Sequence, residues 1–298
     1  MDVKLENKEI RIINQKNFHP QHIFECGQAF RWQRKEDGSY TTVAMDKVIN
    51  VSLDGSDVLI KNSSLEDFEN IWIDYFDLES DYEKMQEDFN NDLIMQEAID
   101  YGKGIRILNQ DPFETTISFI ISANNRIPQI KKSIELICKN YGKSLGHYEG
   151  KEYFSFPKAE DLAQVEVAEI REICRVGFRD KRIIDVAKMV AQGDLDLNSL
   201  MKLEREDIKK ILMTLPGVGP KVADCITLFA FKKKDSFPVD VWIKRVMEHL
   251  YFKEEVNKNK LGLMAREKFG PYAGLAQQYL FYYGRENAIG IDKNNKSK

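Results

Sequence analysis

The chain of 298 residues carries 44 Lys and Arg against 48 Asp and Glu, a formal net charge of −4, with 43% hydrophobic and 31% charged residues. That length and balance describe globular material with room for about two domains and a sizeable core. No run approaches the roughly 18 apolar residues of a membrane span, and the start, MDVKLENKEIRI, has no apolar signal segment, so a soluble, intracellular protein is expected.

The charge is unevenly spread. Residues 63–92 hold eleven Asp and Glu against one Lys, a local −10 within the total of −4, which leaves +6 for the rest. That excess includes Arg126, Lys131 and Lys132, and the run Arg171, Arg175, Arg179, Lys181 and Arg182. Such charges form either a solvated helix face or a set of phosphate contacts, and spacing alone does not separate the two. The cysteines Cys26, Cys138, Cys174 and Cys225 are scattered, with no CxxC pair, so neither a zinc site nor an iron–sulfur cluster is suggested and reduced thiols are expected.

In chain order, residues 8–14 and 29–61 read as strands: AFRWQR, SYTTVAM, KVINVSL and DVLIKN alternate and are rich in β-branched and aromatic residues. Asp37-Gly38 and Asp54-Gly55 supply hairpin turns, and HPQHIFEC reads as a short helix leading into the sheet. A twisted antiparallel sheet follows, whose edge and outer face need a cover. From about residue 64 the period becomes 3.6, with helices expected at 79–103, 111–124, 128–140, 159–165, 168–175, 180–192, 204–214, 221–231, 241–252, 260–268 and 272–283. The fold class is therefore α+β, with residues 1–110 a β domain with covering helices and residues 111–298 a helical domain. The final IDKNNKSK reads as a disordered polar tail.

Between two of these helices lies LPGVGPKVAD, residues 215–224. Ile208, Ile211, Leu212 and Leu215 recur at i, i+3, i+4, i+7 before it, and Val222, Ile226 and Phe229 at i, i+4, i+7 after it, so two amphipathic helices flank a tight hairpin. Gly217 and Gly219 permit positive φ and carry no Cβ, so the backbone N–H groups of Gly217, Gly219 and Val222 can lie against an anion such as a DNA phosphate. A Walker phosphate loop is excluded, because it needs GxxxxGK followed by Ser or Thr and here Val222 follows Lys221. Lys221 stands in the first turn of its helix, where the dipole disfavours a cation by about 0.3–1 kcal/mol. With burial beside apolar neighbours added, such a lysine is suited to act as an amine nucleophile and not only as a counter-charge to phosphate. Near DNA the electrophile is a sugar C1′. Asp240, in FPVDVWIKRVMEHL, occupies an N-cap position ahead of the stripe Ile243, Val246, Met247 and Leu250, and capping is its default role. If the two helices pack as neighbours, the same carboxylate can stabilise positive charge building on a sugar ring.

The hairpin LPGVGPK followed by PVDVW resembles the helix-hairpin-helix DNA glycosylases. Four further segments, GQAFRW (27–32), YFDLESDYEKM (75–85), DPFETTISFIISANN (111–125) and YAGLAQQYLF (272–281), resemble the 8-oxoguanine branch of that family over nearly the whole chain. The resemblance implies a sheet domain like those of TATA-binding folds joined to a helical catalytic body, with double-stranded DNA lying across the hairpin and the 8-oxoguanine everted into a pocket. It also implies that the Lys221 amine displaces the base at C1′ with help from Asp240, and that the resulting Schiff base permits β-elimination of the 3′ phosphate.

For the pocket, the lesion differs from guanine mainly at C8 and N7, where an acceptor becomes an N–H donor. A site built around one hydrogen bond can reject the analogue lacking it by up to about 10⁴–10⁵, and the resemblance assigns the backbone carbonyl of Gly27 to that task; a simple turn is the other reading of this glycine. Gln277 and Phe281, at i, i+4, would present an amide to the Watson–Crick edge and a ring for stacking, where an ordinary core stripe is the alternative. Cys225 matches a pocket-lining cysteine, or is a small buried hydrophobe. Asn124 and Arg179 match residues that hold the estranged base, Phe178 an aromatic wedge, and Asn124 could instead end a helix. The chain departs from animal and fungal members at Gln129, where they carry arginine, and at Trp242, where they carry histidine; without the arginine, selectivity for an opposite cytosine is expected to weaken. A monomer acting without cofactor or catalytic metal is implied, cytoplasmic and nucleoid-associated in a bacterium, while a monovalent cation on the hairpin carbonyls stays open. A non-catalytic DNA-binding module would have no use for Lys221 paired with Asp240, and glycosylases for other oxidised bases commonly carry a C-terminal four-cysteine cluster, whereas no cysteine follows Cys225.

Overall fold

The computed structural model describes residues 1–6 and 9–291. The chain opens with β1 (Asp2–Glu6), β2 (Glu9–Ile13), β3 (Trp32–Arg34), β4 (Tyr40–Ala44), β5 (Lys47–Asp54) and β6 (Asp57–Lys61). These form one antiparallel sheet in the order β1-β2-β6-β5-β4-β3. The Asp37-Gly38 and Asp54-Gly55 turns fall where the dipeptides place them, with both glycines at positive φ. A third turn puts Met45 and Asp46 at φ 49° and 57°, the primed geometry that matches strand twist. Helix α1 (Pro20–Glu25) lies on the inner face, where Ile23 and Phe24 pack with Ile10, Ile12, Ile49 and Val51.

β1 lies outside the expected strands because almost all of it is exposed, and an edge strand without a buried stripe leaves no apolar alternation to detect. Residues 65–75 form α2, a helix with a π-turn at Phe68–Trp72. Asp67 N–H donates to Ser64 Oγ at 3.0 Å to start it, and Phe68, Trp72 and Tyr75 are buried beneath the sheet. The single helix expected over 79–103 is two, α3 (Tyr82–Glu87) and α4 (Leu93–Tyr101). Ile94 N–H and Met95 N–H both donate to Asp92 Oδ1 at 3.1 Å, so an N-cap restarts the helix where continuity was expected.

The next helices follow their expected spans closely: α5 (Pro112–Ser122), α6 (Ile127–Tyr141), α7 (Ala159–Ala163), α8 (Val167–Cys174), α9 (Asp180–Ala191), α10 (Arg205–Leu212), α11 (Pro220–Ala230), α12 (Val241–Met247, running into a π-turn), α13 (Lys258–Phe269) and α14 (Ala273–Glu286). Inserted among them is an unexpected hairpin, β7 (Ser144–Tyr148) and β8 (Lys151–Phe154). Its Tyr153 packs on Val43 and Val48, and this hairpin is the cover for the sheet's outer face. β4 is consequently buried on both sides.

The main core joins Ile117 and Ile121 of α5, Ile134 of α6, Ile184 of α9, Ile226 of α11 and Leu280 of α14, and it takes in Tyr82 and Met95 from α3 and α4. The acidic stretch is tied to the helical body by Lys234–Asp77 at 2.6 Å and Lys268–Asp92 at 3.0 Å. Among the described residues no helix is long and apolar enough to cross a membrane. The expected disordered tail lies, apart from Ile291, outside the described residues.

Candidate active site

The hairpin between α10 and α11 has the expected form, with Ile208, Leu212, Leu215, Val222, Ile226 and Phe229 all buried. Gly217 takes φ +88°, so glycine suits the turn, and a Cβ there would meet the flexible Arg182 side chain at Cδ, 2.6 Å away. Gly219 caps α11 in extended conformation, and a Cβ there would point into open space. Ala223 N–H donates back to Gly219 O at 2.9 Å, while among the described residues the N–H groups of Gly217, Gly219, Lys221 and Val222 find no protein acceptor. A helix start with free donors beside a glycine turn has the donor set that an anion site needs.

Lys221 is half-buried, and its Nζ lies 5.3 Å from the centre of the Phe119 ring. That ring stacks on Phe229 at 5.6 Å and meets Phe30 edge-on at 5.6 Å, which gives the amine an aromatic floor built from three elements. One turn along α11, burial pushes the Cys225 thiol up to about 11; the Lys221 amine beside it pulls the other way, and Asp224 and Asp240 add to the rise. Lys221 is thus a neighbour of Cys225, whereas the Asp240 charge is the smallest of these influences. Asp240 caps α12, with Ile243 N–H donating to its Oδ1 at 2.7 Å. The two helices do not pack side by side as the sequence suggested: α12 packs chiefly against α14.

The base-pocket candidates come together from opposite ends of the chain. Gly27 takes φ +85°, and a Cβ there would sit 3.0 Å from Phe281 Cε1, so this backbone touches the Phe281 ring because it carries no side chain. Gln277, one turn before Phe281, is buried, and its Oε1 accepts from Gln278 Nε2 at 2.7 Å. What it retains for a ligand is its amide N–H pair and one lone pair on that oxygen.

On the other flank Phe178 is 55% exposed, with the Arg179 guanidinium 4.2 Å from its ring centre and that of Arg182 at 5.2 Å. Arg179 is buried and each of its three nitrogens donates to a carbonyl: Nε to Ala123 O at 3.0 Å, Nη2 to Asn124 O at 2.9 Å, and Nη1 to Val176 O at 3.3 Å. Asn124 is exposed at φ +51°, just past the end of α5, so its helix-ending role is realised. Gln129 is exposed, its Nε2 reaching Ser133 Oγ and Arg175 O at 3.4 Å.

Two residues that the sequence did not single out hold the Gly27 segment. Gln28 is fully buried; its Nε2 donates to Ile23 O at 2.9 Å and Arg106 O at 2.7 Å, and its Oε1 accepts from Leu108 N at 2.8 Å. Gln110 ties that segment to α11, donating through Nε2 to Gln28 O and through its backbone N to Phe229 O, both at 2.8 Å. Nothing local marks them: Gln110 stands between Asn109 and Asp111, and Gln28 between Gly27 and Ala29, and their partners are distant in the chain.

A cavity of about 600 Å³ lies elsewhere, between β3, α6 and β8, where Lys131 Nζ sits 3.3 Å from the centre of a Trp32 ring. None of Lys221, Cys225, Asp240, Gln277 or Phe281 lines it. Volume and the expected chemistry thus fall in different places, joined through Phe30, which lines the cavity and meets the Phe119 ring.

Residues 11–116 match the family described as 8-oxoguanine DNA glycosylase, N-terminal domain, and residues 117–270 match the HhH-GPD superfamily base excision DNA repair proteins. A probable N-glycosylase/DNA lyase of Methanothermobacter thermautotrophicus is 32% identical over 72% of this chain and 74% of its own. The N-glycosylase/DNA lyase OGG1 of Arabidopsis thaliana is 30% identical over 87% of this chain and 75% of its own. Among solved structures, the 8-oxoguanine glycosylase/lyase of Clostridium acetobutylicum, in complex with double-stranded DNA containing cytosine opposite 8-oxoG, superposes with a TM-score of 0.94 at 43% identity, over 97% of this chain and 99% of that one. MBOgg1 in complex with a low-affinity DNA ligand gives 0.93 at 48% identity, over 96% and 99%. The chain belongs to the HhH-GPD superfamily of base excision DNA repair proteins and carries the N-terminal domain of its 8-oxoguanine DNA glycosylases.

Proposed function

We propose that the protein excises 8-oxoguanine from duplex DNA and then cuts the strand, with Lys221 as the nucleophile. What supports this is the half-buried Lys221 amine in the first turn of α11, 5.3 Å from the centre of the Phe119 ring, with the Asp240 carboxylate fixed at the cap of α12. The amine lone pair forms a bond to C1′ while the C1′–N9 pair departs with the base, which takes up a proton. Positive charge develops on the sugar as the base leaves, and the fixed Asp240 carboxylate stabilises it. The sugar ring opens to a C1′=N Schiff base; loss of a C2′ proton then expels the 3′ phosphate with the C3′–O pair, and water releases the lysine.

Upstream of the chemistry, phosphates dock on the free N–H groups at Gly217, Gly219 and Val222, and Phe178 fills the gap left in the stack, beside Asn124, Arg179 and Gln129. The everted base lies between Phe281 and Cys225, with Gln277 at its Watson–Crick edge and the Gly27 carbonyl accepting from N7–H. Guanine has no donor there and leaves that carbonyl unpaired, the arrangement that discriminates most steeply. The working form is a monomer inside the cell, with the division near residue 110 separating the sheet domain from the catalytic helices.

The test is borohydride reduction with a labelled duplex containing 8-oxoguanine. A covalent adduct is expected with the wild-type protein and none with Lys221→Gln. Undiminished excision by the variant would remove the lysine from the mechanism.

A further inference from the structure

We propose that Arg285 is a positioning residue that fixes the spacing between the Gly27 carbonyl and the Phe281 ring, and with it the recognition of 8-oxoguanine; the inference rests on the function proposed above. Arg285 lies on α14 one turn beyond Phe281. Its Nη2 donates to Glu25 O at 2.7 Å, the carbonyl of the last residue of α1 and two residues before Gly27. Its guanidinium carbon lies 5.3 Å from the centre of the Phe281 ring, and its Nη1 lies 3.9 Å from the point a Cβ on Gly27 would occupy. The side chain is 18% exposed, and Glu286 Oε1 accepts from its Nε at 2.9 Å and Nη2 at 2.8 Å, which restrains the fork in that plane. One planar group therefore touches both walls of the candidate pocket.

The arrangement matters because of the backbone it holds. The carbonyls at the end of α1 have no partner within their helix, and Arg285 satisfies one of them. Gly27, at φ +85°, is the softest residue in the wall. After it the chain is anchored by the buried Gln28 amide, and before it by Arg285. Releasing the leading anchor lets the Gly27 carbonyl drift relative to Phe281, and a hydrogen bond to N7–H does not tolerate an ångström of error.

The test compares two activities in the full-length protein: single-turnover excision of 8-oxoguanine opposite cytosine, and scission of a duplex with a preformed abasic site, which places no base between the walls. Arg285→Leu keeps apolar cover over Phe281 and removes the donors. It is expected to slow excision by about tenfold or more while abasic-site scission stays within about twofold of wild type. Arg285→Lys, with one movable donor and no plane, is expected to recover part of the loss, and it carries the same comparison should the leucine variant fail to fold. Wild-type excision rates in either variant, or equal losses in both activities, would overturn the proposal. A wild-type protein inactive on 8-oxoguanine would sink the functional reading itself, a result distinct from an active wild type matched by Arg285→Leu.

Discussion

Asp240 caps α12, and in the proposed mechanism it also stabilises the sugar cation; one substitution separates the two roles. As the N-cap of α12 it accepts from Ile243 N–H at 2.7 Å through Oδ1, and an asparagine keeps that oxygen in place. Asn and Asp are nearly equal N-caps, so Asp240→Asn loses only the favourable interaction of a negative charge with the helix start, about 0.3–1 kcal/mol. Chemistry loses much more. A unit charge pair about 4 Å apart at an effective dielectric near 20 is worth about 4 kcal/mol, and the sugar carries most of a positive charge as the base departs. Asp240→Asn should therefore slow single-turnover excision of 8-oxoguanine by about 10²–10³-fold while its urea midpoint moves little. Asp240→Ala removes cap and charge together, and should add a stability loss of about 1 kcal/mol without slowing excision much further. If the asparagine variant excises within about threefold of wild type, the carboxylate only caps a helix and the charge-stabilisation argument fails.

Gly27→Ala meets a positive φ and a Cβ 3.0 Å from Phe281 Cε1; excision of 8-oxoguanine should fall by about tenfold or more with abasic-site scission retained, and equal retention of both activities would free Gly27 from the pocket. Gln129 lacks the charge of an arginine and its amide sits 3.4 Å from Arg175 O, so excision rates opposite the four bases should lie within about tenfold of one another; a cytosine preference of about a hundredfold would contradict this. Lys209 Nζ pairs with the buried Asp224 Oδ2 at 2.8 Å, and burial raises the Asp224 carboxyl while Lys209 lowers it. Lys209→Met should cost about 3 kcal/mol at pH 7 by stranding that charge. With its folded value raised above the unfolded one, Asp224 binds its proton more readily when folded, so the penalty is present above the folded value and shrinks as pH falls through it; urea unfolding of the variant at pH 7 and pH 5 reads the difference, and an equal loss at both would refute the assignment.

What the sequence made readable were elements with a buried stripe: the paired helices around the hairpin, whose period of 3.6 is written in Ile208, Leu212, Val222 and Ile226, and the strands β2 and β6, which bury alternate residues. β7 and β8 escaped because their exposed, polar residues contribute little beyond Tyr153 to any core. The break at Asp92 and the helix over 65–75 were different misses: the change of period at about residue 64 was read, but both helix starts carry capping side chains of the type that marks them.

The same division holds in the site, and for a physical reason. Lys221 and Asp240 were singled out from local settings: a lysine in the first turn of a helix after a glycine-containing turn, and a carboxylate at the cap of the next helix. Gln28, Gln110 and Arg285 have no such local signature. Their meaning lies in partners 78, 82 and 260 residues away, and a hydrogen bond across that separation imposes no period on the chain between. In the proposed site, a pocket wall that must aim one carbonyl at one N–H is stabilised by these long-range bonds more than by the residue that supplies the carbonyl. The discriminating step is therefore the one whose supports are least visible in one dimension, and substitutions at those supports should damage base choice before they damage the lysine chemistry.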